Sequence, residues 1–161
     1  MISKQSAFTR LALLSLALLP LLAFASAQTP KDNLNLEVRL IWGANEPQSP
    51  DPKHKALDSV LTKWLSNKLK WKYYFEVNRQ TPSIPVNASK SVSLSAKCRV
   101  DVKNLGGSRI EVNLFGDGKH VRKEVQVLKD GNWLILAGDD KNDTAWFVVI
   151  KKLPPPTAEK K

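Results

Sequence analysis

Acidic and amide side chains are concentrated in one short stretch, GDDKNDTAW, at residues 138–146. Carboxylate and amide oxygens on a loop are ligands that calcium prefers, so the candidate metal ligands are Asp139, Asp140, Asn142 and Asp143. The stretch lacks the D-x-D-x-D-G rhythm and the terminal glutamate of a calcium loop, and Lys141 lies in its middle. Because Asp, Asn and Gly also form tight connections, the pattern favours a hairpin turn over a metal site.

Basic and aromatic residues interleave in a second stretch, KLKWKYYF, at residues 68–75. Such a stretch can bind a polyanion, because rings stack on bases and lysines contact phosphates. A second basic cluster follows the turn GDGK and includes His120. The candidate polyanion-binding residues are Lys70, Lys72, Lys119, Arg122 and Lys123.

A structural interpretation competes with polyanion binding at both basic clusters. In a strand over KWKYYFEVN, period two predicts that Trp71, Tyr73, Phe75 and Val77 face the core. Lys70 and Lys72 then belong to the solvated face, with Tyr74 and Glu76. Basic residues on an edge strand also prevent unwanted pairing between molecules. The alternation favours this structural interpretation for both clusters.

Catalytic motifs are absent from the sequence. It contains no G-x-S-x-G, H-E-x-x-H, C-x-x-C, P-loop or complete G-x-G-x-x-G pattern. The two histidines, His54 and His120, lie in a proline-rich loop and beside a turn. Triads are recognised by geometry, so a small secreted hydrolase stays an alternative. We predict a protein that is not an enzyme and has no cofactor.

The N-terminal segment predicts export. It has a basic start with Lys4 and Arg10, the apolar run LALLSLALLPLLAFA, and small residues at Ala25 and Ala27. These three features define a cleavable secretory signal over residues 1–27. The apolar run is short for a membrane span of about 20 residues, and Pro20 disturbs its end. We expect a periplasmic or extracellular protein, most simply bacterial, without a transmembrane segment after cleavage.

Net charge points to anionic partners. The chain carries 25 Lys and Arg against 15 Asp and Glu, a formal charge of +10. A basic exported protein meets anionic lipids, wall polymers and extracellular nucleic acid, although charge also serves solubility alone. Two N-x-[ST] patterns, at Asn87 and Asn142, are glycosylation acceptors only in a host that glycosylates asparagine.

Alternating apolar residues predict a mainly β fold at the margin of α+β. NLNLEVRLIWG alternates, and polar tips recur after it roughly every 10 residues, which is typical of an antiparallel sandwich or barrel-like sheet. We expect about eight strands. WLILA and AWFVVI are apolar on both parities, so both should be central and covered on both faces. VSLSAKCRVDV is long enough for two strands or one bent strand, with Cys98 on a buried face.

One short amphipathic helix is predicted after the proline-rich loop ANEPQSPDPKHK. Its apolar residues are Val60, Leu61, Trp64, Leu65 and Leu69. Asp58 is a candidate N-cap, and Asp51 before Pro52 is a second, earlier start. The predicted organisation is a signal peptide, a single β-rich domain over residues 28–153, and a disordered Pro/Lys tail over 154–161.

These observations predict a small exported, non-catalytic binding or envelope-associated accessory protein. Its ligand is not encoded in any motif, and an envelope protein or an anionic polymer fits the charge. The alternatives are a basic polyanion-binding protein and a small secreted hydrolase.

Overall fold

The computed structural model describes residues 33–137 and 144–155. The strands are β1 (Leu34–Ala44), β2 (Lys55–Ala56), β3 (Tyr73–Gln80), β4 (Ser83–Ile84), β5 (Ser89–Ser93), β6 (Cys98–Asn104), β7 (Arg109–Gly116), β8 (Lys119–Val127), β9 (Trp133–Ala137) and β10 (Ala145–Lys152). One helix, α1 (Ser59–Ser66), lies between β2 and β3. The predicted signal peptide and the tail from residue 156 lie outside the described residues.

The strands form two antiparallel sheets. The first has the order β2-β3-β1-β10-β9, and β4 pairs with the start of β1. The second has the order β5-β6-β7-β8. Within the described part of the chain, no helix has the length and apolar character needed to cross a bilayer.

Alternating side chains of both sheets form one core between them. From the first sheet come residues such as Leu36, Val38 and Ile150, and from the second residues such as Val100 and Val112. This packing confirms the predicted mainly β, sandwich-like fold with one helix. The described residues form ten strands rather than about eight, because β2 and β4 are each only two residues long and leave no periodic pattern.

A second core lies between α1 and the outer face of the first sheet. Leu61 and Leu65 of the helix pack with Phe147 and Val149 of β10. The first sheet is therefore covered on both faces over β10, as its two-sided apolar pattern predicts. Gly43 belongs to this packing, because a Cβ at that position would lie 2.8 Å from the Phe147 ring.

Helix α1 begins where the sequence predicts. Asp58 accepts a hydrogen bond from the N–H of Leu61 at 2.9 Å, which satisfies one of the free donors of the first turn. The earlier start at Asp51 is wrong, since its carboxylate accepts from the N–H of Lys53 within the preceding loop.

The strand WLILA does not lie at the centre of its sheet. It forms β9, which pairs with β10 on one side and ends the strand order of the first sheet. Leu134 and Leu136 face the core between the sheets, while Trp133 and Ile135 pack against the core under α1. Apolar residues on both parities therefore report coverage of both faces and not a central position.

The orientation predicted for the two tyrosines is wrong. Tyr74 is buried beneath α1 at 4% exposure, whereas Tyr73 is 40% exposed. The two tyrosines occupy successive positions of β3, and the face that carries Tyr74 is covered by the core under α1 instead of being exposed to solvent. Trp71 enters the same core from the irregular segment before β3.

Cys98 lies on the buried face of β6, as the alternation predicts. VSLSAKCRVDV forms two strands, β5 and β6. Burial raises the pKa of the Cys98 thiol to about 11, which disfavours the reactive thiolate. The thiol acts as a small apolar side chain in the core between the sheets.

Candidate functional site

The two predicted basic clusters lie in different parts of the sandwich. Lys70 and Lys72 lie between α1 and β3, beside the first sheet. Lys119, Arg122 and Lys123 lie on β8, the edge strand of the second sheet. The structure therefore does not bring these five side chains into one site, and each cluster has its own electrostatic surroundings.

On β8, acidic residues of the same sheet neutralise the basic side chains. Arg122 donates to Glu124 at 2.6 Å. Lys123 lies 3.0 Å from Glu111 on β7, and the hydrogen bond from Lys123 lowers the pKa of the Glu111 carboxyl, followed by that from Asn113. Lys119 forms none of the ion pairs found among the described residues. The β8 cluster is thus a set of local ion pairs on an exposed edge.

Around α1, lysines lie over tryptophan rings. The Lys68 Nζ lies 5.1 Å from the centre of the Trp64 ring, and the Lys151 Nζ lies 5.3 Å from that of Trp133. The two rings contact each other edge to face, with centroids 4.9 Å apart and planes at 75°. We call the surface formed by Val60, Lys63, Trp64, Lys68, Lys70, Trp133 and Lys151 the lysine–tryptophan face.

Strand pairing and helix packing position these rings. Trp133 of β9 and Lys151 of β10 are direct cross-strand partners, so their side chains lie on the same side of the sheet. Trp64 lies on α1 between the buried Leu61 and Leu65, which hold the helix against that side. Beside them, the Lys70 Nζ lies 5.0 Å from the centre of the Trp71 ring, which packs on Phe147.

The helix segment carries positive charge without acids. Residues 59–72 include Lys63, Lys68, Lys70 and Lys72 but no Asp or Glu. None of the ion pairs among the described residues involves Lys63, Lys68 or Lys72. An ammonium group over an indole ring is attracted by the ring quadrupole and keeps donors directed to solvent. Of the lysine–tryptophan face, Lys63, Lys68 and Lys151 therefore present ammonium groups that form no ion pair among the described residues.

The nearest acids, Glu37 on β1 beside Lys151, Asp58 at the start of α1 and Glu76 on β3, are held by arginines. Arg39 lies 2.7 Å from both Glu37 and Asp58 and 3.3 Å from Glu76, while Arg79 lies 2.7 Å from Glu76. Burial alone would raise the pKa of Asp58, but the N–H of Leu61 and the guanidinium of Arg39 lower it on balance. This network ties α1 to the sheet and balances most of its own charge.

A serine and a histidine meet in the proline-rich loop. The Ser49 Oγ lies 2.6 Å from the Nδ1 of His54, and the Nε2 of His54 lies 3.9 Å from Asp51. Ser49 borders a cleft of about 570 Å³ that also contacts Trp42 and Pro47. A hydrolase needs a carboxylate hydrogen-bonded to the imidazole and donors for an oxyanion. The Asp51 distance exceeds a hydrogen bond, and Pro50, directly after the serine, has no N–H to donate.

The second histidine has no serine beside it. The His120 ring packs edge to face against Phe115, with centroids 5.3 Å apart, and its Nε2 lies 3.3 Å from the Asn113 amide oxygen.

In a larger cleft of about 620 Å³, Lys152 donates to the Ser108 hydroxyl at 2.8 Å and pairs with Asp130 at 3.0 Å. An ammonium held in this way donates a hydrogen bond to the hydroxyl oxygen and has no lone pair with which to remove its proton.

The candidate calcium ligands Asp139, Asp140, Asn142 and Asp143 lie outside the described residues. Across 33–137 and 144–155, no group of three or more His, Cys, Asp or Glu side chains could hold a metal ion. Asn87 lies exposed in a turn with a positive φ of 63°.

Of the lysine–tryptophan face, the sequence predicts only Lys70 as a binding residue, and six residues are not predicted: Val60, Lys63, Trp64, Lys68, Trp133 and Lys151. Trp64 was assigned only to the core, although its position on the helix places it at the rim of that core. Trp133 and Lys151 lie at opposite ends of the hairpin WLILA–AWFVVIK, and the strand register makes them neighbours. If the two runs are aligned in the sequence as the strands of a hairpin, Trp133 is placed beside Lys151.

Comparison with protein-family models, with curated proteins and with solved structures gives no match. The geometry and charge of the described residues are therefore the basis for a functional proposal.

Proposed function

We propose that this protein is a non-catalytic binding domain that recognises an anionic partner through the lysine–tryptophan face. One observation carries the proposal: the ammonium groups of Lys68 and Lys151 lie over the contacting rings of Trp64 and Trp133, beside a helix segment with no acid. On β8, by contrast, Glu124 and Glu111 pair with Arg122 and Lys123.

The arrangement suits surface recognition more than chemistry. Lysine head groups in contact with solvent attract anions from a distance. Dissolved salt screens this attraction, so that it extends over about 8 Å at physiological ionic strength. The rings beneath them limit the freedom of the lysine stems, so less entropy is lost when an anion binds. Binding of this kind weakens steeply as salt is added.

Export places such a domain among anionic polymers and lipids. The N-terminal pattern predicts cleavage after Ala27, so the mature protein should begin at Gln28. Intact-mass measurement of the protein recovered from the producing cell tests this part of the proposal. Retention of the full N-terminal segment would contradict cleavage and would leave the binding proposal to be judged on its own experiment.

Heparin-affinity chromatography tests the anionic-partner proposal with a soluble polyanion. The variant combines Lys63→Glu, Lys68→Glu and Lys151→Glu, and the matched control combines Lys119→Glu, Arg122→Glu and Lys123→Glu. Both replace three cations by three anions. We expect the first variant to elute at much lower salt, with affinity reduced more than about tenfold, and the control to stay within about threefold of the parent.

Equal losses in the two variants would show that only net charge matters and would contradict the proposal. Circular dichroism and the melting temperature establish that both variants fold.

A serine hydrolase is a second candidate because of the Ser49–His54 contact at 2.6 Å. A fluorophosphonate probe reports a nucleophilic serine directly, and Ser49→Ala is its control. With no N–H on Pro50 and no hydrogen bond from Asp51 to the imidazole, we expect the probe to label the parent no more than the variant. Labelling that is lost in Ser49→Ala and in His54→Gln would replace the binding proposal by a hydrolase.

A further inference from the structure

We infer that the partner of the lysine–tryptophan face is the surface of an anionic lipid bilayer. The inference rests on the proposed function and narrows it to one class of partner. Val60 and the rims of Trp64 and Trp133 would lie at the level of the lipid head groups, and the lysines would contact lipid phosphates. Three features of the face favour lipid over a soluble polymer.

The first feature is an exposed apolar side chain on the helix that carries part of the charged surface. Val60 is 69% exposed, the highest exposure of any large apolar side chain in the described residues. It lies one helical turn before Trp64, so the two side chains share a face of α1. A soluble polyanion gains little from a valine, whereas a membrane interface takes up apolar side chains and the apolar bodies of tryptophans.

The second feature is the engagement of the ring faces. Nucleic acids bind tryptophan by stacking a base on an open ring face. Here the Trp64 and Trp133 rings meet edge to face at 75°, and Lys68 and Lys151 lie over them. The exposed parts are therefore ring edges and lysine head groups, which suit the mixed polar and apolar environment of lipid head groups.

The third feature is the rigid support of the helix. Leu61 and Leu65 are buried at 1% and 0% exposure in the core under α1, so the helix does not depend on the membrane to form. Its N-terminus is fixed by Asp58, which also pairs with Arg39. The domain can thus present Val60, Lys63 and Trp64 to a planar surface without losing its fold.

The charges indicate the lipid composition that is required. Each lysine near an anionic surface contributes about fivefold to the partition coefficient. Neutralising Lys63, Lys68 and Lys151 should therefore weaken binding about a hundredfold. Vesicles of phosphatidylcholine alone should bind little of the protein, because one valine and two ring edges provide a small apolar area.

Vesicle flotation with the mature domain tests the inference. The vesicles contain either phosphatidylcholine alone or equal parts of phosphatidylcholine and phosphatidylglycerol, and bromine-labelled lipid in a parallel set reports tryptophan depth by quenching. We expect binding only with phosphatidylglycerol, quenching of tryptophan fluorescence, and a smaller quenched fraction in Trp64→Phe. The variant Lys63→Gln/Lys68→Gln/Lys151→Gln should lose binding.

Two single valine substitutions, one on α1 and one on β8, separate membrane contact from charge attraction. Val60→Asn should weaken binding about fivefold, since part of one valine no longer enters the interface. Val127→Asn on β8, where the parent valine is 54% exposed, is the matched control and should leave binding unchanged. Equal binding of Val60→Asn and the parent, together with no quenching, would overturn the inference.

The heparin experiment distinguishes the anionic-partner proposal from the narrower lipid inference. Retention on heparin that depends on the lysine–tryptophan face, without binding to either kind of vesicle, would overturn the lipid inference and leave the proposed function standing. Tighter binding to single-stranded DNA than to vesicles, with the same dependence on the lysines, would also overturn it in favour of nucleic acid. If neither heparin nor vesicle binding changes when the lysines are replaced, both proposals fail.

Discussion

The two basic regions of this molecule have similar residue types and different surroundings. On β8, Arg122 and Lys123 pair with Glu124 and Glu111 of the same sheet. At the lysine–tryptophan face, Lys68 and Lys151 lie over indole rings, with no acid in residues 59–72. The placement of the acids, more than the number of lysines, decides which region can attract an anionic partner.

The two regions also differ in their support. Strand β8 lies at a sheet edge, and Val121, Val125 and Val127 are each at least 41% exposed. Helix α1 covers a core in which Leu61, Leu65 and Phe147 are fully buried. A basic edge strand prevents pairing between molecules, whereas a helix fixed on a core can hold cations in a defined arrangement.

Removing a buried leucine should give the largest effect on this comparison. Leu65→Ala in α1 leaves a cavity under the helix and should lower the free energy of unfolding by about 2–5 kcal/mol. Val125→Ala on β8 should change it by less than about 0.5 kcal/mol, because that side chain is already largely solvated. Urea unfolding followed by tryptophan fluorescence measures both, and similar losses would show that β8 is packed in a way that its exposure does not indicate.

Removing the acids from β8 should make that region resemble the lysine–tryptophan face. Glu111→Gln combined with Glu124→Gln frees Lys123 and Arg122 from their ion pairs. With each freed cation contributing about fivefold, affinity for phosphatidylglycerol-containing vesicles should rise up to about 25-fold through a second binding surface. Flotation of this variant against the parent provides the measurement. An unchanged affinity would show that the arrangement on the rings, and not the absence of acids, is the decisive difference.

The N-cap of α1 should have a smaller effect. Asp58→Ala removes the acceptor for the Leu61 N–H and should lower the free energy of unfolding by about 1 kcal/mol. Asp58→Asn keeps a capping oxygen and loses the charge next to Arg39, so its cost should be smaller. Thermal melts at neutral pH order the two variants, and an equal cost would assign the effect to the ion pair.

The acid titration should give the smallest effect. The folded-state pKa values of Asp58 and Glu111 lie below their usual values of 3.8 and 4.5. A lowered folded pKa stabilises the fold at pH above the unfolded value, and this stabilisation is lost as pH falls through the lower folded value. Melting temperature should therefore decline slightly below pH 4.5 and further below pH 3.8. Carboxyl titration by NMR identifies the residues, and a raised pKa for either group would contradict the ion pairs.

Much of the fold follows from local pattern. The alternation in NLNLEVRLIWG places Leu36 and Val38 in the core between the sheets, and the two-sided apolar pattern of AWFVVI predicts coverage of β10 on both faces. The helix cap at Asp58 can also be predicted from the sequence, because the Leu61 N–H that it accepts from lies only three residues away. Each of these features depends on neighbours in sequence, and the sequence therefore predicts it.

The candidate site was only partly predictable. Lys70 was selected from the interleaving of lysines and rings, and it does lie over Trp71. Trp133 and Lys151 are not predicted as binding residues, since they lie 18 positions apart in the chain and become neighbours only through the strand register. The opposite exposures of Tyr73 and Tyr74 are not predicted, because α1 covers the face of β3 that carries Tyr74, and this tertiary contact leaves no trace in the local alternation.

By itself, the sequence determined the β-rich class, the helix with its cap, the basic charge and the buried environment of Cys98. These properties depend on residue types and on periods of two or 3.6 residues, which are features of the local sequence. Only the tertiary structure decided which lysines keep their charge uncompensated. Strand register brings Glu111 to Lys123 and Lys151 to Trp133, and charge interactions depend on distances in space that no local period records.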